Sequence, residues 1–252
     1  MDCSWRTAVP VVNTKVVSAE IVAPNVIHLQ IAKPEGYVWR TGEFARLGLK
    51  LNGEDVFRCY SIANTATNST VDFFIARVKD GTLSPALFSL KPGDCVMLDM
   101  EVNGMLLADR LAPGGRDLWL FASGTGIAPF LAMSADSTIT AQYDNIVIVH
   151  GVRTWAETQY VGRFVTRSPK LQVIAAVTRE PGAIVNKRIP AALQEGLIER
   201  IAGLEINKQC SRIMLCGNPA LVKAVREFMK LRDIVSPRRG NPGELLAENF
   251  WL

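Results

Sequence analysis

Paired cysteines are the first thing this 252-residue chain lacks. Its five cysteines, Cys3, Cys59, Cys95, Cys210 and Cys216, are scattered, odd in number and never spaced C-x-x-C. Neither a disulfide framework nor a structural zinc site is expected. An iron–sulfur cluster needs closely spaced thiolate ligands, and these are missing too. If the protein moves electrons, an organic cofactor has to carry them. Long hydrophobic runs are also absent. The longest, "LWLFA" and "NIVIVHGV", fall far short of the roughly 18 apolar residues that suggest a membrane span. The start, "MDCSWRTAVPVV", has no cationic patch followed by an apolar core of signal-peptide length. The expectation is a cytoplasmic protein with no membrane association and no bound metal. Repeats and low-complexity tracts are lacking. With 48% hydrophobic and 21% charged residues, the composition is that of a globular protein.

A strong charge of one sign is lacking as well, since the net charge is +4. Its distribution is uneven. Residues 1–107 carry 10 Lys+Arg against 11 Asp+Glu, whereas residues 108–252 carry 18 against 13. "PRRG" is the one tight basic cluster and it is short, so nucleic acid is not the expected partner. A basic half can hold an anionic small molecule or an acidic protein, or simply be a solvated surface. A monomer is expected.

What is present falls into two grammars. In the first half, "TKVVSAEIVA", "NVIHLQIA", "EFARLGLKL", "DVFRCYSIA", "TVDFFIARV" and "DCVMLDMEV" are rich in β-branched and aromatic residues and separated by turn signals. Six short strands with little helix between them predict an antiparallel β-barrel over residues 1–106. "TLSPALFSL" breaks the pattern with helix grammar. In the second half, "DLWLFA", "NIVIVHG", "LQVIAAVT" and "RIMLCG" alternate with helical stretches at 126–135, 159–168, 188–202 and 218–232. With "GELLAENF" as a last strand, these predict a five-stranded parallel α/β sheet over residues 107–252, covered on both faces. A cleft between two such domains is a favoured ligand site, and open α/β sheets bind at the carboxyl ends of their strands.

Four stretches at such places carry chemistry. "SGTGIAP", residues 123–129, is a Gly-rich strand-to-helix turn. It suits a pyrophosphate approached by backbone N–H groups, and equally an ordinary tight turn. "LCGNPALV" places Cys216 and Gly217 at a strand end, Asn218 as a cap and Pro219 in the first helical turn. Cys216 is thereby near a helix N-terminus, which favours thiolate character, unless burial keeps it inert. Arg153, Arg179 and Arg188 follow or open elements at one sheet edge and could converge on a phosphate. In "FRCYSIA", Arg58 and Tyr60 share one face of a strand, and Cys59 and Ser61 the other. Arg58 could hold a phosphate and Tyr60 could lie flat on an aromatic ring system.

In this order, these stretches resemble the ferredoxin–NADP reductase family, particularly its bacterial FAD-containing branch, over nearly the whole chain. "RCYS" is similar to the flavin motif Arg-x-Tyr-Ser, and "VKDGTLSPAL" to the loop and helix at the flavin pyrophosphate. "GTGIAP" and "CGNP" are similar to the nicotinamide-side motifs, and "GELLAENFWL" to the aromatic-ended enterobacterial tail.

The resemblance implies an enzyme that passes hydride between NADPH and FAD and exchanges single electrons with ferredoxin or flavodoxin. It implies that Tyr60 stacks on the isoalloxazine, Arg58 holds the pyrophosphate and Ser61 sits near the reactive flavin nitrogen. Phe74, Ile75, Ala76 and Arg77 would line the flavin, with Cys59 at a variable position of the motif. Thr82, Leu83 and Ser84 would present a helix start to the pyrophosphate. Gly124, Thr125, Gly126, Cys216, Gly217 and Asn218 would face the nicotinamide end, with Thr125 touching both cofactors. Arg153, Thr178, Arg179 and Arg188 would surround the adenosine end of NADP. Phe250 would cover the flavin and act as a gate, and Trp251 would stack on its adenine. Leu252 adds a residue that the family pattern lacks. Tyr60, Ser61, Cys216, Glu248 and Phe250 are thus the candidate catalytic residues, Glu248 being either a proton relay or a solvated tail carboxylate. The alternatives in view are a free-flavin or oxygenase reductase component and a non-catalytic flavin-binding sensor.

Overall fold

The structure, a computed structural model, describes residues 10–249. The expectations placed on Phe250, Trp251 and Leu252 lie outside the described residues, as does Cys3.

The first six strands are β1 (Val11–Ala23), β2 (Val26–Ala32), β3 (Phe44–Leu51), β4 (Glu54–Ser61), β5 (Thr70–Ala76) and β6 (Cys95–Asp99). They form one antiparallel sheet in the order β4-β3-β6-β1-β2-β5, and an Ile62–Phe73 bridge joins its two edges into the expected barrel. Alternation does the sorting. Leu29, Ile31, Leu47, Phe73, Ile75 and Leu98 point inward and are fully buried. A short helix, α1 (Leu83–Leu87), adds Leu83 and Leu87 to the same core. Gly48 is forced by close packing, because a Cβ there would stand 2.6 Å from the Phe57 ring.

The second half is a five-stranded parallel sheet, order β11-β10-β7-β8-β9. Its strands are β7 (Asp117–Ser123), β8 (Asn145–Val152), β9 (Leu171–Val177), β10 (Ser211–Gly217) and β11 (Leu245–Asn249). The helices are α2 (Ala128–Ala135), α3 (Ser137–Thr140), α4 (Ala156–Gln159), α5 (Val161–Phe164), α6 (Ile189–Gln194), α7 (Leu197–Ala202) and α8 (Pro219–Lys230). One apolar cluster joins the sheet to α6, α7 and α8 through Leu193, Ile198, Val225 and Met229. The other joins it to α2 and continues into Ala23, Val26, Ala63 and Phe74 of the barrel. The barrel therefore shares its core with one face of the sheet.

Two helical expectations are corrected. The stretch 188–202 is two helices, because Gly196 takes a left-handed conformation at φ 65° and starts a new one. The stretch 159–168 is helical only to Phe164. Beyond it the Thr166 N–H turns to the Ser134 hydroxyl at 3.0 Å, and Ser168 precedes a proline, which disfavours helix.

Polar contacts also join the domains. Arg163 grips Glu20 through two hydrogen bonds of 2.7 and 2.9 Å, and Thr41 donates to Asp136 at 2.6 Å. Phe74 of β5 stacks on Tyr160 at 5.0 Å. Among the described residues, no helix is long and apolar enough to cross a membrane.

Candidate active site at the sheet switch point

From β7 the chain runs outward to β8 and β9, then returns to place β10 on the other side of β7. The crevice at the carboxyl ends of β7 and β10 is the switch point where such sheets take ligands. Both Gly-rich stretches meet there. A 3-10 turn, Gly124–Ile127, leads into α2. A Cβ at Gly126 would stand 2.3 Å from the Cys216 carbonyl oxygen, and one at Gly217 would stand 2.2 Å from Ser123 Oγ. Gly126 is glycine because its loop packs directly on the Cys216 backbone, and Gly217 because it packs on Ser123. Ser123 joins the loops. Its hydroxyl oxygen accepts from the Asn218 backbone N–H at 3.0 Å and lies 2.9 Å from Asn218 Nδ2. Asn218 Oδ1 meanwhile accepts from Leu221 N–H and caps α8. The Asn218 side chain thus joins the loops and caps a helix.

Ser61, at the end of barrel strand β4, is buried and lies close to Cys216, near the end of β10. Burial raises the Cys216 thiol well above its ordinary pKa. The Glu248 charge adds to that rise, and the nearby Ser61 hydroxyl opposes it. The thiolate character expected near a helix N-terminus is therefore corrected: Cys216 is a fully buried, neutral thiol. Glu248 pairs with Cys216 across β10 and β11. Its carboxylate is half-buried. It accepts from the Met105 N–H, and burial raises its pKa against the pull of the Met105 and Leu106 N–H groups. Ser61, Cys216 and Glu248 thus come together from both domains.

Around them stand the other residues picked out from sequence. Tyr60 is half-buried, and burial pushes its phenol up to about 12. Arg58 is exposed. Its guanidinium donates to the Phe57 carbonyl at 2.7 Å and has no carboxylate partner among the described residues. Cys59 is exposed and sits opposite Arg46 on β3. On β5, Ile75 points into the barrel core, so only its backbone is available to the site. Phe74 faces the domain interface, Ala76 is half-buried, and exposed Arg77 lies over the Phe88 ring. Near α1, Thr82 is exposed. Leu83 is core, and the Ser84 hydroxyl is buried, accepting from the Val78 N–H at 3.0 Å.

At the far end, Arg153 and Arg179 are brought side by side by an Arg179 N–H to Arg153 carbonyl bond of 2.9 Å. The Thr178 hydroxyl donates to the Val152 carbonyl at 3.0 Å and fixes that pairing. Arg188 arrives nearby because Ile189 packs over Gly151, where a Cβ would meet its side chain at 3.0 Å. All three arginines are exposed and make no salt bridge among the described residues.

The chain is similar to known proteins in sequence and in fold. Residues 13–102 match the oxidoreductase FAD-binding domain and residues 120–227 the oxidoreductase NAD-binding domain. A flavodoxin/ferredoxin–NADP reductase of Escherichia coli (strain K12) is 36% identical over 216 residues, covering 83% of this chain and 87% of that protein. The chain belongs to the flavodoxin/ferredoxin–NADP reductase family. The ferredoxin–NADP reductase of Pseudomonas aeruginosa, another member, is 34% identical over 86% of this chain and 88% of its own length. The solved structure of a ferredoxin NADP+ reductase from Neisseria gonorrhoeae with bound FAD and NADP superimposes with a TM-score of 0.89. It is 28% identical, covering 95% of this chain and 98% of that one.

For a member of this reductase family, three contributors were missed in the sequence: Ser123, His150 and Met105. Ser123 joins the two loops, His150 sits under Gly124 with Nε2 2.8 Å from its carbonyl oxygen, and the Met105 N–H holds Glu248. Ser123 alone left a signal, as the last residue of a strand entering a Gly-rich turn.

Proposed function

We propose that this protein is a flavodoxin/ferredoxin–NADP reductase that exchanges hydride with NADPH and single electrons with ferredoxin or flavodoxin, using FAD. When bound, FAD supplies the link between two-electron and one-electron chemistry. The residues present fit that group. Arg58 offers an exposed guanidinium, with no carboxylate partner among the described residues, beside the half-buried Tyr60, a cation for a pyrophosphate next to a phenol ring for an aromatic plane. Arg77 and the turn before α1 would complete the holding set.

The observation that carries this reading is the meeting of the two motif strands: Ala63, two residues beyond Ser61 of the flavin motif, shares one buried cluster with Cys216 of the nicotinamide motif. The two halves of a hydride-transfer site would thereby stand at one point. Ser61 is available as a hydroxyl donor there. Cys216, as a neutral thiol, fills a dry position without adding charge. Glu248, with its raised pKa, can hold a proton at the same place. Arg153, Arg179 and Arg188 supply fixed positive charge for the 2′-phosphate of NADPH, with Thr178 holding their strand ends together. We place the domain division at Leu106–Leu107, within the stretch between the two matched domains. Phe250 and Trp251 keep the roles that the resemblance implies. A chain ending at Asn249 should release FAD more readily than the intact one.

The test is direct. The purified protein should be yellow, release FAD on denaturation and be bleached by NADPH without oxygen. A colourless protein that takes up no FAD rejects the reading. A yellow protein that NADPH leaves unbleached points instead to a flavin-binding sensor.

A further inference from the structure

His150 lies near the end of β8, 1% exposed, with Nε2 2.8 Å from the Gly124 carbonyl oxygen. A carbonyl oxygen only accepts, so the imidazole donates. Burial keeps the ring neutral, moving its pKa down to about 4 against a smaller upward pull from that carbonyl. A neutral imidazole that donates from Nε2 leaves Nδ1 unprotonated. The ring is also held in orientation. Tyr160 meets it edge-on at 6.4 Å and 78°, and Tyr160 stacks in turn on Phe74 of the barrel. An apolar side chain would fill this volume without donating.

The group that His150 grips is specific. Gly124 has φ 54°, in the left-handed region, and a Cβ there would meet nothing within 4 Å. The position thus needs glycine for its backbone conformation and not for room. The Gly124 carbonyl and the Thr125 N–H belong to one planar trans peptide and point in opposite directions. With the carbonyl drawn onto His150, the Thr125 N–H is turned away from it.

We propose that His150 is a positioning residue: its Nε2–H pins the Gly124–Thr125 peptide and so sets how Thr125 meets the nicotinamide end of the substrate. This rests on the reductase reading above. His150 touches no reacting atom and acts through the loop, so its loss should slow hydride transfer without weakening the grip on the adenosine end.

The experiment has two arms. The first is nitrogen-15 NMR of the wild-type holoprotein, in which only two histidines need assignment. His150 should carry its proton on Nε2 throughout neutral pH, and a proton on Nδ1 there overturns the proposal. The second compares His150→Leu with His150→Gln, whose amide nitrogen can stand near the place of Nε2. NADPH should reduce the flavin of His150→Leu about tenfold or more slowly, with affinity for 2′,5′-ADP within about twofold of wild type and with His150→Gln within about threefold in rate. An unchanged rate in His150→Leu, or equal losses in both variants, overturns the proposal. If His150→Leu does not fold, the proton position in the wild type decides. Failure of the reductase reading is seen separately, as a wild-type flavin that NADPH does not reduce.

Discussion

Ser61, which closes barrel strand β4, and Cys216, next to last in β10 of the parallel sheet, are both buried and meet across the two domains, with the Ser61 hydroxyl near enough to pull the Cys216 thiol pKa downward. The two residues are 155 positions apart in sequence. Ser61→Ala should leave the fold intact and slow NADPH-driven flavin reduction roughly tenfold or more, because a donor is lost where the hydride moves. Stopped-flow reduction measures it. Binding of 2′,5′-ADP should not change. A Ser61→Ala protein reduced at the wild-type rate removes Ser61 from the list of acting residues.

Arg179 stands beside Arg153 with no salt bridge of its own among the described residues. A charge-assisted hydrogen bond to phosphate is worth about 1.5–3 kcal/mol, so Arg179→Ala should raise the KM for NADPH roughly 10- to 100-fold. The KM for NADH, which has no 2′-phosphate, should stay where it was. Equal losses for both coenzymes would mean that Arg179 supports the loop and does not select the phosphate.

The buried His150 gives stability a pH dependence with a definite sign. Its folded pKa of about 4 lies below the ordinary 6.5, so the unfolded chain binds the extra proton between those values. Its contribution is fully present above 6.5 and is lost as pH falls toward 4. The gap corresponds to about 3 kcal/mol. Urea unfolding at both ends of that window should show stability falling with acid in the wild type and falling less in His150→Gln. Parallel profiles for the two proteins would contradict the assignment.

Asp72 anchors the barrel beside the domain interface. Its carboxylate accepts from Gln30 Nε2 at 2.9 Å, Asn64 Nδ2 at 3.1 Å and Thr70 Oγ1 at 2.7 Å, and it lies 3.2 Å from His28 Nε2. Burial works to raise its pKa, but the hydrogen bonds from His28, Thr70 and Gln30 outweigh it, and the net shift is downward. Asp72→Ala strands these donors and should cost about 3 kcal/mol of stability, read from the urea midpoint. Asp72→Asn, which still accepts, should cost less. A reversed order would mean that the cluster is not held by acceptance at this side chain.

Much of this molecule was legible before folding. The five parallel strands are apolar on both faces, and the barrel strands are separated by Pro, Gly and Asn turns, so neither set depended on distant partners to be read. Arg153 and Arg179 could be picked out because each directly follows its own apolar strand, but their pairing depends on β8 lying beside β9. What escaped depends on strand order. Ser123 acts on Asn218 only because β10 lies beside β7, and Met105 reaches Glu248 only because β11 lies beside β10. The Ser84 hydroxyl accepts from the Val78 N–H, a contact set by the turn that precedes α1. The break at Gly196 escaped because one glycine within an apolar-periodic run does not by itself announce a left-handed backbone.

The most direct test of the proposed function is electron delivery to a one-electron acceptor. Cytochrome c reduction by NADPH should be slow with this protein alone and accelerate strongly when ferredoxin or flavodoxin is added, as expected if two-electron hydride is converted into single electrons for a protein carrier. A rate that neither carrier changes, with free FAD or FMN accelerating it instead, would contradict the account and make the protein a free-flavin reductase.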